Sequence, residues 1–423
     1  MSKEDVTRQT SCCADDTEPG LLSVEQAERH IFDLVRPLRC PERVDIRRAL
    51  GRTLADDICS TINVPPHINS AMDGYAIGAA DIPTDGTTQL TLAGTALAGT
   101  PFTGSVKTGQ CIRIMTGAKL PAGCDTVIMQ EQAEVEDDRV RIDARHHAGE
   151  NVRQAGEDLS LGQTAILAGK KLQAADLGLL ASMGMGEVSV TRSLRVAFFS
   201  TGDELRSVGS QLEEGEIYDS NRYSLHGMLQ RQDAELIDMG VIADNPDAMQ
   251  AAFRDAAQIA DVIITTGGVS VGDADYVKAI VEELGQVNFW KLAIKPGRPM
   301  AFGTLGDALF FGLPGNPVAV MVTFYQFVQP ALRYLHGQKA LRPFRFQVTS
   351  ASAIRKRPGR TEYQRGQLGI VADGQLRVSL TGAQGSGILS SMSSANCFIV
   401  LAADQGSVEP GDTVTVEAFD GLL

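Results

Sequence analysis

The chain has 423 residues and a formal net charge of −14, with 43% hydrophobic and 21% charged residues. This composition excludes disordered and collagen-like chains, and the length predicts about three domains. An acidic chain of this kind is a poor general binder of nucleic acid or of an anionic membrane surface. Its seven cysteines include no C-x-x-C pair, which favours a reduced, cytoplasmic setting over a zinc site.

The first half of the chain predicts helices around a β domain. Residues 1–20 are polar and predict a mobile tail, and we expect neither a signal peptide nor a membrane span. Ser23 and Gln26 resemble a capping box at the start of an apolar-periodic helix. Residues 57–156 are rich in β-branched segments between Gly and Pro turns, which predicts a small all-β domain. A helix over 172–183 is expected to pack with the first helix, so that 21–56 and 157–193 form one split linker domain.

The second half predicts a doubly wound α/β domain and a further β domain. From 194 to 342 apolar strands alternate with amphipathic helices, a rhythm typical of a mostly parallel sheet with helices on both faces. The long apolar stretch after Pro317 predicts a single helix. Residues 343–423 return to strands without helices, which predicts a small β-sandwich or barrel. Loops at the carboxyl ends of the parallel strands are the expected ligand site.

Two glycine-containing turns are candidate anion sites. The strand ending at Thr266 runs into Gly267 and Gly268, with Ser270 just before the next helix, where backbone N–H groups can hold a phosphate. The alternative is a tight turn that binds nothing. The second turn reads Leu-Pro-Gly-Asn-Pro and contributes Pro314, Gly315, Asn316 and Pro317. Asn316 and Pro317 are also typical helix-start residues, so capping alone is the alternative.

Charged side chains stand near the same strand ends. Gly202, Asp203 and Glu204 follow the first strand of the α/β domain. Two carboxylates there are compatible with a phosphate only if a divalent cation lies between them or if they transfer protons; a solvated turn is the alternative. Other polar residues at strand–helix junctions are Ser220, Asn221, Asp244 and Asp275. Lys291, Lys295 and Arg298 place three cations within eight residues of an acidic chain, which suggests a dianion site; a solvated basic turn is the alternative.

Eight segments occur in order along the chain: SAMDGYA, IRIMTGAKLPAGCDTVIMQE, GEDL, TGDEL, YDSNR, TTGGVSVGDADY, KPGRP and LPGNP. Together they closely resemble the molybdopterin molybdenumtransferases, known as MoeA in bacteria and as the E domain of gephyrin in animals. The resemblance covers the chain after the first 20 residues. It departs at Ala319, where relatives commonly carry Ser, and at Arg298, where they carry Lys.

The resemblance implies an elongated homodimer whose active cleft lies between the α/β domain of one subunit and the β domain of the other. It implies that adenylylated molybdopterin, made by a molybdopterin adenylyltransferase, reacts with molybdate to give molybdenum cofactor and AMP with the help of magnesium. The central domain is expected to be shared with those adenylyltransferases.

The resemblance also implies roles for individual residues. The acids regarded as functional in relatives match Asp73, Asp158, Glu204, Asp244 and Asp275, and the resemblance implies Glu204, Asp244 and Asp275 as magnesium ligands. Arg365 and Ser386 join the three cations around molybdate. Thr116 joins the substrate-binding residues named above.

Two other functions compete with this one. A receptor-clustering scaffold of the gephyrin kind would use the same dimer, but the chain lacks the extra domain and linker of that arrangement. An adenylyltransferase or nucleotide pyrophosphatase would use the same α/β domain, but would need neither the additional β domains nor the SAMDGYA segment.

Overall fold

The computed structural model describes residues 20–268, 274–339 and 342–419. The chain forms two compact units. The larger unit contains residues 20–42 and 191–419 of the described chain, and the smaller unit contains residues 43–190. The predicted fold class is confirmed: a central α/β domain is combined with two β domains and short helical segments.

Eight α-helices occur in the described residues: α1 (Val24–Leu34), α2 (Ala174–Ser182), α3 (Ser220–Leu229), α4 (Pro246–Ile259), α5 (Ala274–Leu284), α6 (Pro317–Thr323), α7 (Gln329–Leu335) and α8 (Leu389–Ser393). Helix α1 begins with the predicted capping box between Ser23 and Gln26. Within the described chain, no helix combines the length and the apolar composition that crossing a membrane requires.

The predicted long helix after Pro317 is interrupted. Helices α6 and α7 are joined by a π-helical turn at Phe324–Val328. Pro330 lies in the first turn of α7 and has no N–H to donate to the carbonyl four residues earlier, which accounts for the local change of hydrogen bonding.

A seven-stranded sheet forms the centre of the larger unit. Its strands in spatial order are Leu21–Leu22, Gly285–Leu292, Pro299–Leu305, Ala308–Leu313, Val262–Thr266, Leu194–Thr201 and Ala234–Ile242. The last four are mutually parallel, as predicted. The strands Gly285–Leu292, Pro299–Leu305 and Ala308–Leu313 pair antiparallel, so the sheet is mixed. A tight turn with Gly306 at φ +57° joins Pro299–Leu305 to Ala308–Leu313, so these two strands form a hairpin.

Both faces of this sheet are buried. Phe198, Ile264 and Phe311 point into the core that also holds α1, α3 and α6, whereas Phe199 and Phe310 point into the core beneath α4 and α5. Alternate residues of a strand face opposite sides, so a strand covered on both sides needs an unbroken apolar run. Burial on both faces therefore explains why the central strands are unbroken apolar runs in the sequence.

The C-terminal residues form a β-barrel. Its strands are Arg345–Ser350, Thr361–Ile370, Leu376–Leu380, Cys397–Leu401 and Thr413–Ala418. The long strand Thr361–Ile370 pairs with both Leu376–Leu380 and Cys397–Leu401, and this closes the ring. The short helix α8 is an addition that the strand-only prediction missed. Ile294–Lys295, which follows the central sheet directly, pairs with the start of the long barrel strand.

The smaller unit contains a six-stranded sheet and a second, mixed core. The sheet strands in spatial order are Thr126–Met129, Gly74–Ile77, Gln110–Ile114, Thr87–Ala96, Arg139–Asp143 and Glu134–Glu136. The smaller unit also contains two short antiparallel strand pairs: Ile58–Cys59 with Thr164–Ile166, and Asn69–Ser70 with Val152–Arg153. Leu54, Ile58, Ile166 and Leu180 share one core, so two distant parts of the chain are packed together here.

Helix α1 belongs to the core of the larger unit. Its buried residues Val24, Ala27 and Ile31 lie in the core of the larger unit together with Phe324 and Phe327. Helix α2 lies in the smaller unit. An amphipathic helix shows which of its faces is apolar but not which core accepts that face, so the sequence pattern alone could not assign α1.

Asp261 links the beginnings of neighbouring strands in the larger unit. Its carboxylate accepts from Arg192 Nη1 at 2.7 Å and Nη2 at 2.8 Å, and from the backbone N of Arg195 at 2.8 Å. Burial alone would raise the pKa of Asp261, but hydrogen bonds from Arg192 and Arg195 outweigh it and hold this pKa far below its usual value.

We predict that Asp261→Asn lowers the free energy of unfolding by about 2–3 kcal/mol near pH 7, because it leaves two guanidinium groups without their carboxylate. The folded-state pKa lies below the usual 3.8. The stabilisation is therefore complete above that value and is lost as the pH falls through the lowered pKa. Urea unfolding should show a smaller difference between wild type and variant in acid than at neutral pH.

The matched control is Glu282→Gln. Glu282 pairs with Lys278 at 3.8 Å, and both side chains are more than half exposed. Its loss should change stability by less than ~0.5 kcal/mol. An Asp261→Asn protein as stable as this control would contradict the assigned role of Asp261.

Candidate functional site

The register of the parallel strands brings four strand ends to one edge of the central sheet. Ser200 pairs with Thr266, Thr266 pairs with Leu313, and Thr201 pairs with Ile242. The hydroxyl groups of Ser200 and Thr266 lie 2.9 Å apart. The loops that follow these strands are therefore forced together, as expected for the ligand-binding edge of an α/β sheet.

A cleft of about 610 Å³ opens at this edge. We call it the strand-end cleft. Its lining includes the predicted residues Gly202, Glu204, Ser220, Asn221, Asp244, Thr266, Gly267, Gly268, Gly315, Asn316 and Pro317. It also includes Thr201, Leu205, Ile217, Tyr218, Asp219, Pro299 and Gly387, which were not predicted as site residues. Several of these residues are sequence neighbours of predicted residues in the same motifs. Their position next to a predicted site residue is the feature by which the sequence could have identified them.

The Gly267-Gly268 turn is the most constrained part of this cleft. Both residues have positive φ, +86° and +64°. A Cβ on Gly267 would lie 2.5 Å from the carbonyl oxygen of Thr201, and a Cβ on Gly268 would lie 2.9 Å from Val277 Cγ2. Only glycine fits both positions, so the backbone itself forms this wall of the cleft.

Two helices begin at the cleft. Asp219 is buried and caps α3 by accepting from the backbone N of Arg222 at 3.2 Å. In the first turn of α3, Asn221 Nδ2 donates to Gly315 O at 2.7 Å, and this bond ties α3 to the loop before α6. Asn316 is the N-cap residue of α6 but makes no side-chain capping bond. The amide dipoles at such helix starts favour a bound anion.

Carboxylates accompany these helix starts. Glu204 and Asp244 line the strand-end cleft together with Asp219. Asp203 does not line it, but its Oδ1 accepts from the backbone N of Asp244 at 3.2 Å and so positions that segment. Among the described residues that line the cleft there is no lysine or arginine. An anionic ligand would therefore meet backbone amides and acids here, an arrangement that suits a phosphate accompanied by a divalent cation.

Arg365 lies behind the loop that borders this cleft. The side chain is 1% exposed; its Nε donates to Ser391 Oγ at 3.0 Å and its Nη2 donates to Gly385 O at 3.0 Å. Burial lowers the pKa of this guanidinium to about 10. The same loop meets α6, because Ser386 O accepts from Val318 N at 3.1 Å. Arg365 and Ser386, which lie 21 positions apart in the sequence, are thus brought to one loop.

The three predicted cations do not line one cleft. Lys295 faces the barrel, where its Nζ lies 3.3 Å from Glu362 Oε1. Lys291 lines a different cleft with His30 and Trp290. The carbonyl of Arg298 accepts from Leu292 N at 2.7 Å, which closes the loop between them. Spacing in sequence was a poor guide here because Lys291 and Lys295 belong to different strands.

The predicted residues of the smaller unit include one direct contact. Asp73 Oδ1 accepts from both the backbone N and the Oγ1 of Thr116, each at 2.7 Å. These two hydrogen bonds, the backbone one foremost, lower the pKa of Asp73. Asp158 is exposed on a loop whose backbone N donates to Val64 O at 3.0 Å. Because the hydrogen bonds from Thr116 lower its pKa, Asp73 is a carboxylate near neutral pH.

Some predictions fall outside what the structure describes. Ser270 lies outside the described residues, and so does the side chain of Asp275. Pro314 belongs to the same loop as Gly315 but does not line the strand-end cleft. Among the side chains that are described, no three His, Cys, Asp or Glu residues are grouped to hold a metal ion.

Taken together, the fold is an α/β ligand-binding domain with an anion-suited cleft at its strand ends, joined to two β domains. Three family descriptions match this arrangement along the chain. "MoeA N-terminal region (domain I and II)" matches residues 22–184, "Probable molybdopterin binding domain" matches 197–334, and "MoeA C-terminal region (domain IV)" matches 347–419.

Individual proteins match over nearly the whole chain. A molybdopterin molybdenumtransferase of Haemophilus influenzae is 44% identical over 405 residues, which is 95% of this chain and 100% of that protein. One from Nostoc is 37% identical and covers 93% of each. The crystal structure of a molybdopterin biosynthesis moeA protein from Pyrococcus horikoshii superposes with a TM-score of 0.83 at 28% identity, covering 94% of this chain and 100% of that one. The chain belongs to the MoeA family of molybdopterin molybdenumtransferases, which is a family of enzymes.

We predict that Gly267→Ala lowers the free energy of unfolding by about 1–3 kcal/mol, because the methyl group meets Thr201 O and the residue must keep a positive φ. The measurement is urea unfolding followed by circular dichroism.

Gly315→Ala is the matched control within the same cleft. A Cβ there would lie 4.0 Å from Gly267 Cα, an ordinary contact. Its effect should stay within about 0.5 kcal/mol. Equal stability of the two variants would mean that the Gly267 turn is not under the constraint described here.

Proposed function

We propose that this protein is a molybdenum insertase that joins adenylylated molybdopterin to molybdate and releases molybdenum cofactor and AMP. One observation carries the proposal: in a chain of this family, a strand-end cleft presents a two-glycine turn, two helix starts and carboxylates on one surface. That combination suits a phosphorylated ligand with a divalent cation better than an uncharged one.

The phosphate link of the substrate is assigned to the backbone. Thr266, the Gly267-Gly268 turn and the start of α6 at Pro317 border the cleft. The N–H of Gly267 donates to Leu313 O at 3.3 Å, so the amide of Gly268 is the one assigned to the phosphate. Asn221 holds the two loops together through Gly315 O. Gly202, Ser220 and Asn316 complete the lining near these amides, and the adjacent Pro314, Asp203 and Ser270 remain assigned to the same site by resemblance.

Magnesium is assigned to Glu204 and Asp244, with Asp275 as a third candidate. Two carboxylates are enough, because Mg²⁺ in phosphate sites is held by one or two carboxylates, substrate phosphates and waters. Carboxylate oxygens are the hard ligands that this ion prefers, so the residues fit it. When bound, the ion neutralises phosphate charge and polarises the phosphate link that is cleaved.

Molybdate is assigned to the cations. Arg365 and Ser386 lie at the loop whose neighbour Gly387 lines the strand-end cleft, which supports their role. Lys295 and Arg298 lie in the segment between the central strands Gly285–Leu292 and Pro299–Leu305, where Ile294–Lys295 pairs with the barrel. Lys291 opens into another cleft, and its role rests on the resemblance alone.

Proton transfer is assigned to carboxylates. When two thiols of the pterin bind molybdate, one molybdate oxygen leaves as water and takes up the two protons that the thiols release. Asp73 has a lowered pKa and is ionised near neutral pH, so it is suited to accept a thiol proton and pass it to the leaving oxygen, or to hold a cation. We assign Asp73 and Thr116 to one functional pair, with Asp158 as an additional acid of the same domain. The homodimer expected from the resemblance would bring this pair to the strand-end cleft of the other copy.

The setting follows from the same assignment. We infer a cytoplasmic enzyme that receives its substrate from a molybdopterin adenylyltransferase. The acidic charge of −14 agrees with a small-molecule substrate rather than with nucleic acid.

We predict that Glu204→Gln and Asp73→Asn each lower the rate of cofactor formation by a factor of roughly 10² or more, as expected for loss of a metal ligand or of a proton-transferring group. The assay mixes the purified full-length protein with adenylylated molybdopterin, molybdate and magnesium, and measures both AMP and active cofactor. The dimer should persist in size-exclusion chromatography.

Glu213→Gln is the control, because Glu213 is exposed and does not line the strand-end cleft. It should retain the wild-type rate. AMP release that is independent of molybdate would contradict the insertase and favour a nucleotide pyrophosphatase. Wild-type rates in Glu204→Gln would remove Glu204 from the site.

A further inference from the structure

A second cleft lies where the barrel meets the loop that carries Lys295. It measures about 780 Å³ and is lined by Lys295, by residues of the 353–360 loop, and by Glu362 and residues 407–409. We call it the basic cleft. Five of its lining side chains are cationic and only two are carboxylates, in a chain whose net charge is −14.

Four of the five cations of the basic cleft are accessible to solvent. Arg355 and Arg357 are exposed, Arg360 is partly exposed, and the side chain of Lys295 is 46% exposed. A local cluster of positive charge on an otherwise acidic protein attracts anions to that place and away from the rest of the surface. The cluster therefore has the electrostatic character of a binding site.

The loop that carries these arginines is held rigidly from inside. Lys356 is 6% exposed, and its Nζ donates to the carbonyls of Gln405 at 2.9 Å and of Arg357 and Ala403 at 3.3 Å. Ile354 and Val408 exchange backbone hydrogen bonds of 2.8 and 2.9 Å. Lys356 thus orders the loop, and the neighbouring arginines are fixed at their Cα positions before any ligand arrives.

Lys295 is held at the border of the same cleft. Lys295 and Glu362 are opposite residues of two paired parallel strands, and Lys295 Nζ lies 3.3 Å from Glu362 Oε1. Glu362 is buried, and its other oxygen accepts from Gln364 Nε2 at 2.5 Å. The Glu362 carboxylate therefore holds the ammonium group of Lys295 at the border of the basic cleft.

The lining defines the chemical class of the ligand. Among the described residues of the basic cleft there is no aromatic side chain, so nothing is present on which a pterin or a nucleotide base could stack. Guanidinium groups match the oxygens of a tetrahedral oxyanion in a two-pronged geometry. The cleft fits a small dianion better than a nucleotide.

We propose that the basic cleft is a second anion site, which takes up molybdate through Arg355, Arg357, Arg360 and Lys295. The choice of molybdate rests on the proposed function, since phosphate and sulfate share its shape and charge. The site extends the molybdate assignment of Lys295 to a barrel loop that lies outside the strand-end cleft. It would hold the oxyanion next to the domain in which it reacts.

The test is equilibrium dialysis of ⁹⁹Mo-labelled molybdate against the purified full-length protein. The wild-type protein should show two molybdate sites, and the double variant Arg355→Gln/Arg357→Gln should lose roughly tenfold or more in molybdate affinity at one of them, because two charge-assisted contacts are removed there. The wild-type protein should bind molybdate more tightly than phosphate, measured by competition. Circular dichroism checks that the variant is folded.

The matched control is Arg139→Gln/Arg141→Gln. It removes the same charge from two exposed positions on the other compact unit. It should bind molybdate like the wild type. Equal affinity of wild type and Arg355→Gln/Arg357→Gln, an equal loss in the control, or tighter binding of phosphate than of molybdate would each overturn the proposal.

Failure of this proposal is distinguishable from failure of the insertase. Dialysis needs no turnover, so a lost affinity in the double variant would support the basic cleft even if no cofactor formed in the assay. Conversely, cofactor formation with unchanged molybdate affinity in the double variant would overturn the basic cleft and leave the proposed function standing.

Discussion

The close approach of the Gly267-Gly268 turn to the end of the first central strand is the constraint on which the strand-end cleft depends. The gap is too small for any side chain, since a Cβ on Gly267 would lie 2.5 Å from Thr201 O. The parallel register then places Leu313 and the start of α6 beside this turn. This wall of the cleft is therefore made of backbone. The carboxylates Glu204, Asp219 and Asp244 line the same cleft, and no lysine or arginine among the described residues lines it.

The molecule separates its charges in a way that fits two anionic ligands of different kinds. Backbone and carboxylates line the strand-end cleft, whereas Arg365 lies behind the loop that contains Gly385, and Lys295 and three arginines line the basic cleft. A phosphate that meets carboxylates needs a metal ion between them, whereas an oxyanion that meets guanidinium groups does not. Arg365 and Lys295 stand between these two environments, one buried in the barrel and one at its rim.

Local patterns in the sequence predicted local structure well. The capping box of α1, the doubly buried strands and the polar residues at strand ends all follow from rules that act within a few residues. Contacts that depend on tertiary packing were not predictable in this way. Periodicity could not assign the core that receives α1, and spacing could not show that Lys291 and Lys295 diverge. The contact between Asp73 and Thr116 joins loops 43 residues apart. The sequence motifs indicated Asp73 and Thr116 separately as candidate site residues, but they did not indicate that the two side chains are in contact.

We propose that the Gly267-Gly268 turn binds the phosphate of the substrate, and a crystal structure of the protein grown with AMP and magnesium is the direct test. We expect phosphate density within hydrogen-bonding distance of the backbone amide of Gly268, with a magnesium ion on Glu204 or Asp244. Nucleotide bound elsewhere, with the turn contacting only solvent, would contradict it.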